Sequence, residues 1–130
     1  VSGGFARHPD DLPWETWDDP VLRARSPCRW KILVTARRGP SQAMCCGIAE
    51  LAAGATLLLH HHAPPELYLV ESGQGVSEVA GVRHELRPGT ALFIPANARH
   101  RTIAGPDAPL RVWFVFPTDS FEEIVYHFDA

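Results

Sequence analysis

His60-His61-His62-Ala63-Pro64-Pro65-Glu66 is the stretch that decides the reading. Successive side chains on a strand point to opposite faces, so His60 and His62 share one face, with Thr56 and Leu58 before them. His61 points the other way. Pro64-Pro65 ends the run in a turn, and Glu66 opens the next run beside the two imidazoles. Two imidazoles and a carboxylate converging in this way make a site for a borderline divalent metal. His100 is expected as a further ligand. It follows the turn-like stretch Pro95-Ala96-Asn97-Ala98-Arg99 and starts a segment that can pair back against the first. His8, His61, His84 and His127 are read as ordinary structural or surface histidines.

Outward from this centre, short apolar runs recur with Gly or Pro between them. They are Arg29–Thr35, Ala43–Leu51, Thr56–His62, Glu66–Ser72, Gly75–Ala80, Val82–Leu86, Ala91–Ile94, Arg101–Ala104, Leu110–Phe116 and Phe121–Phe128. Turn signals at Ala53-Gly54, Ser72-Gly73 and Pro88-Gly89 separate them. This spacing predicts an all-β sandwich or barrel over residues 28–130. Residues 1–27 carry Pro9, Pro13, Pro20 and Pro27, too much proline for a long helix. They are expected to form an irregular arm with one short helical turn, its Trp14 and Trp17 packed on the body of the domain.

The bulk composition excludes several classes. The chain has 130 residues, 45% hydrophobic and 21% charged, with net charge -3 and no run of Lys or Arg. Neither a nucleic-acid nor a membrane partner is expected. No apolar run reaches the length of a membrane span, and Val1-Ser2-Gly3-Gly4-Phe5 does not read as a signal peptide. Three cysteines, Cys28, Cys45 and Cys46, are too few and too irregular for a disulfide framework. Reduced, packed thiols in a cytoplasmic protein are the expectation.

The spacing around the histidines resembles a known superfamily. Gly54, His60-x-His62, Glu66 and Gly73 fit the first motif of the cupins, and Gly81 to His100, with Pro88-Gly89 and Pro95, is similar to the second. Thr90 and Ala104 stand where cupins often have Asp and Asn. The resemblance implies a single-domain cupin, a double-stranded β-helix or jelly-roll barrel. It also implies one divalent transition metal (Fe, Mn, Ni, Zn or Co) at His60, His62, Glu66 and His100, and it makes a homodimer plausible.

Further features resemble one branch, the short single-domain dimethylsulfoniopropionate lyases. They are Arg29-Trp30-Lys31, Gly47-x-Ala49-Glu50, Glu66-x-Tyr68, Ala96-Asn97-Ala98-x-His100, Phe116-Pro117-Thr118-Asp119 and Tyr126. This branch implies a small carboxylate substrate, cleaved by β-elimination to dimethyl sulfide and acrylate, with catalytic tyrosines at Tyr68 and Tyr126. Alternation independently places Tyr68 on the face of Glu66, where a nearby cation would favour its phenolate. Trp30 and Phe114 are the candidates for the sulfonium, since aromatic faces hold a cation for about 0.5–2 kcal/mol per contact. Two alternatives share the same residues: another metal-dependent cupin enzyme, such as a dioxygenase or isomerase acting on a small acid, and a non-catalytic small-molecule binder.

Overall fold

The computed structural model describes residues 3–129. Its strands are β1 (Glu15–Thr16), β2 (Cys28–Val34), β3 (Cys45–Leu51), β4 (Thr56–His61), β5 (Glu66–Ser72), β6 (Gly75–Val79), β7 (Val82–Leu86), β8 (Ala91–Ile94), β9 (His100–Ala104), β10 (Leu110–Phe116) and β11 (His127–Phe128). Among the described residues they form two antiparallel sheets, ordered β1-β2-β3-β10-β5-β8 and β11-β4-β9-β6-β7. The core lies between them. Strand β10 shows why: Leu110, Val112, Phe114 and Phe116 are buried, while Arg111, Trp113 and Val115 between them are half-buried. That period of two is what a sheet with one covered face requires.

The turns follow the glycines. Gly54, Gly73 and Gly89 all take positive φ, at 74°, 81° and 92°. At Gly73 a side chain is excluded twice, because a Cβ there would also run into the Pro109 carbonyl.

Two expectations about the chain are corrected. The run Phe121–Phe128 is not one strand. Phe121–Glu123 form a 3-10 turn, and only His127–Phe128 pair, with His61 and His60 of β4. Side-chain bonds hold the turn. The Thr35 hydroxyl donates to Glu122 at 2.6 Å and accepts from the Phe121 amide at 3.1 Å, while Arg38 Nε donates to Glu122 at 3.0 Å. The segment therefore crosses from the end of β2 to the edge of the second sheet. The arm is also more regular than expected. Beyond a 3-10 turn at Pro9–Asp11 it contains helix α1 (Pro20–Arg25), capped by the Asp19 carboxylate accepting from the Val21 amide at 2.8 Å, and β1, which pairs with Trp30 and Arg29.

The arm rests on a charge network. Glu50 lies directly opposite Arg29 on β2 and Arg111 on β10, and accepts from them at 2.6 and 3.0 Å. Trp14 covers both guanidiniums, 4.0 Å from Arg29 and 5.6 Å from Arg111. All three cysteines are unpaired, and adjacent Cys45 and Cys46 differ in burial as opposite-facing residues should. No helix among the described residues is long and apolar enough to cross a membrane.

Burial works to raise the Glu50 carboxyl, but the bonds and charges of Arg29 and Arg111 outweigh it and hold the pKa below its ordinary value. A depressed folded pKa gives stability that is present above the unfolded value and lost as pH falls through the folded one. Glu50→Gln should therefore cost on the order of 1 kcal/mol near neutral pH. That deficit should shrink as pH falls below about 4. Urea unfolding of both proteins across this range measures it, and a deficit independent of pH would contradict the network.

Candidate metal centre

Three elements converge at one end of the sandwich. His60 on β4 and His100 on β9 are directly paired in the second sheet. His62 follows β4, and Glu66 opens β5 in the first sheet, so the loop between them crosses from sheet to sheet. The Asn97 amide donates to the His62 carbonyl at 2.9 Å and ties the turn before β9 to this loop.

Strand β4 departs from strict alternation at one point. The pairing of β4 with β9 shifts between Leu57 and His60, so an extra residue is accommodated there. Leu57 therefore shares the buried face with His60, and Leu58 does not. The Leu58 amide is taken up by the hydroxyl of Ser26 at 3.2 Å. Its carbonyl accepts from His60 Nδ1 at 2.7 Å. His61 does point away, and its ring stacks on His127 at 4.9 Å.

The histidines share one device. Nδ1 of His60, His62 and His100 faces the carbonyls of Leu58, Pro64 and Ala98, at 2.7, 2.9 and 2.9 Å. A carbonyl can only accept, so each Nδ1 carries a proton and each ring turns its Nε2 inward. Among the described residues these rings form a group whose ligand atoms lie within 4.8 Å of one another. All three are buried, and Nε2 of His60 and His100 has no hydrogen-bond partner. Burial pushes His60 down to about 3, and nearby His100 adds to the effect, so its ring is neutral.

Glu66 stands beside two of these rings. Its Oε1 lies 3.0 Å from His62 Nε2 and 3.7 Å from His100 Nε2. A carboxylate and an imidazole lone pair at 3.0 Å require a proton or a cation between them. Burial opposes charge on both, yet their mutual attraction raises His62 and, with His100, lowers Glu66. Buried lone pairs and a buried carboxylate, all aimed inward from backbone-anchored rings, fit a divalent cation.

Beside the cluster lies a cavity of about 40 Å³. Trp30, Glu66, Tyr68, Phe114 and Tyr126 all line it, so the remaining sequence candidates come together around it. Gly47 makes room for Phe114, whose ring a Cβ there would strike. Tyr126 stacks on His60 with ring centroids 5.2 Å apart and planes 15° apart. Burial pushes both phenols well above their ordinary value, and the charge of Glu66 adds to it. Trp17, Leu57 and Phe121 line the cavity as well and were missed. Leu57 was hidden by the bulge and Phe121 by the turn. Trp17 lies on the arm, which strand parity does not reach.

Comparison with known proteins agrees with this geometry. The cupin domain family matches residues 47–116. Over 121 residues the chain is 44% identical to the dimethylsulfoniopropionate lyase DddW of Ruegeria pomeroyi, covering 93% of this chain and 77% of DddW. The chain is a cupin of the dimethylsulfoniopropionate lyase family. Among solved cupins, the polyketide cyclase RemF from Streptomyces resistomycificus superposes with TM-score 0.78 at 19% identity, covering 98% of this chain and 87% of RemF. A chain from the structures of the dimethylsulfoniopropionate lyases RdDddP and RnDddQII gives TM-score 0.74 at 21% identity, over 92% of this chain and 63% of its own length. At these identities the two superpositions speak for the cupin fold alone.

A cation bound to the folded cupin should stabilise it by mass action. Zinc at a hundredfold excess over its Kd should add about 2.7 kcal/mol. Thermal unfolding should show a raised Tm that a chelator reverses, and an unchanged Tm at saturating metal would contradict a folded-state site.

Proposed function

We propose that this cupin cleaves dimethylsulfoniopropionate to dimethyl sulfide and acrylate, with His60, His62, Glu66 and His100 holding one divalent transition metal. The observation that carries the proposal is the kinship with DddW across 93% of the chain. The cavity beside the histidines supports it, because Glu66, two phenols and a set of aromatic faces line it.

A divalent ion held there would supply Lewis-acid stabilisation to the substrate carboxylate and a positive charge offsetting that of Glu66 beside the phenols. Tyr68 is the proposed base. Once the phenol has given up its own proton to solvent, which the charge of such an ion would favour, its oxygen takes the proton from the carbon next to the carboxylate. The electrons of that C–H bond form the C=C bond of acrylate, and the C–S pair leaves with dimethyl sulfide. Tyr126, packed on His60 and His62, is the positioning partner or the alternative base. Trp30 and Phe114 offer faces to the sulfonium, which needs a cation-tolerant wall without a tightly bound anion. The side chains around the cavity also keep water from the reacting carbon.

The remaining expectations have their own support. Unpaired Cys28, Cys45 and Cys46 accord with a cytoplasmic protein. An apolar groove of about 320 Å³ on the outer face of the first sheet, with exposed Met44 and Phe93 at its rim, accords with a homodimer.

Metal-loaded protein should release dimethyl sulfide into the headspace above the substrate. No release over a metal-only blank with any of Fe, Mn, Ni, Co or Zn would overturn the reaction. Tyr68→Phe should lower turnover by about 10²–10⁴-fold with metal content unchanged; wild-type turnover would remove Tyr68 as base. His62→Ala should lose metal and activity together, and full metal retention would remove it as a ligand.

A further inference from the structure

Behind the aromatic wall of the cavity lies a second space. An outer groove of about 390 Å³ is lined by Trp17, Trp30, Phe121 and Tyr126, the same four rings that line the inner cavity. The rings are therefore a partition with a face on each side. They pack edge to face or tilted: Trp17 meets Trp30 at 4.7 Å, Tyr126 at 6.1 Å and Phe128 at 5.3 Å, and Phe121 meets Trp30 at 6.4 Å and Tyr126 at 6.2 Å.

Trp17 comes from outside the barrel and is firmly held. Its indole N–H donates to the Ser26 carbonyl at 2.9 Å. Ser26 is itself buried, its hydroxyl donating to the Thr56 carbonyl at 3.0 Å. Arg23 then clamps the backbone beside the ring, donating to the carbonyls of Trp17 and Asp18 at 2.7 and 2.9 Å. Trp17 is thus fixed both to the end of α1 and to β4, the strand that carries His60.

Size gives the partition its consequence. A cavity of about 40 Å³ holds about three waters, so dimethylsulfoniopropionate fits there only with the aromatic wall opened toward the groove. The outer groove is large enough. It carries three carboxylates, Glu15, Asp18 and Glu122, against the single guanidinium of Arg38, which Glu15 and Glu122 already bind at 2.8 and 3.0 Å. Its charge favours an onium group over an anion.

We propose that Trp17 is a specificity-determining wall of the cavity beside the histidine cluster, dividing it from the acidic groove along which the onium end of the substrate is admitted. The inference rests on the metal and lyase reading given above. It makes the arm part of the site: the inward face of Trp17 sets how large an onium group fits, and removing it joins cavity and groove.

Two readouts test it, and one needs no turnover. The first is the rate at which a chelator strips cobalt from the loaded protein. The second is the ratio of kcat/KM for dimethylsulfoniopropionate to that for its bulkier diethyl analogue. Trp17→Ala should speed stripping by about tenfold or more as the wall opens. It should also cut the discrimination by about tenfold or more, the scale of an added methylene in a fitted pocket. Trp17→Phe, which keeps an apolar ring, should fall between, and decides the matter if Trp17→Ala does not fold. Trp14→Ala loosens the same arm away from the cavity and should behave as wild type. Stripping as slow as wild type in the Trp17 variants would overturn the proposal, as would equal acceleration in Trp14→Ala. Faster stripping without dimethyl sulfide from any protein would keep the wall and reject the reaction. A wild type that retains no cobalt would reject the site and the wall together.

Discussion

Three histidine Nδ1–H groups committed to backbone carbonyls are the constraint on which the rest depends. Leu58, Pro64 and Ala98 each occupy the outward nitrogen of a ring, and each ring then turns its Nε2 toward a buried interior. Placing a carboxylate among those nitrogens makes the arrangement unsatisfied without a positive charge. A proton shared by His62 and Glu66 meets part of that need, and leaves Nε2 of His60 and His100 unpartnered. A divalent ion meets all of it. The bulge in β4, the Pro64-Pro65 crossing and the Asn97 turn are the devices by which the backbone delivers its carbonyls to these positions.

The second layer follows from the first. Aromatic rings line the cavity beside the histidines from four sources: β2 gives Trp30, β10 gives Phe114, the C-terminal segment gives Phe121 and Tyr126, and the arm gives Trp17. The turn is held by Thr35, Glu122 and Arg38, and Trp17 of the arm by Ser26 and Arg23. Polar networks at the surface thus set the shape of an apolar interior. An elimination that expels a neutral sulfide from a sulfonium suits such a space, since its polar demands are concentrated at the carboxylate end.

Much of this was legible in the residues because sheets encode themselves with a period of two. Leu110 to Phe116 and Glu66 to Ser72 have the expected bounds and faces, and the same alternation sets Tyr68 and Phe114 toward Glu66. Alternation fails where the backbone adds a residue or leaves the sheet. One extra residue between Leu57 and His60 exchanges the roles of Leu57 and Leu58. Side-chain hydrogen bonds from Thr35 and Arg38, distant in sequence, turn Phe121–Glu123 out of a strand that their apolar pattern suggests. The place of Trp17 depends on Ser26 and Arg23, and no local pattern carries that information.

X-ray absorption on the zinc-loaded protein tests the central claim most directly. Imidazole nitrogens at about 2.0–2.1 Å, three to each metal, together with oxygen scattering at about 2.0–2.2 Å, are the result this geometry predicts. A spectrum of oxygen alone, without the outer-shell signature of imidazole, would show that the buried histidines do not hold the ion and would contradict the account.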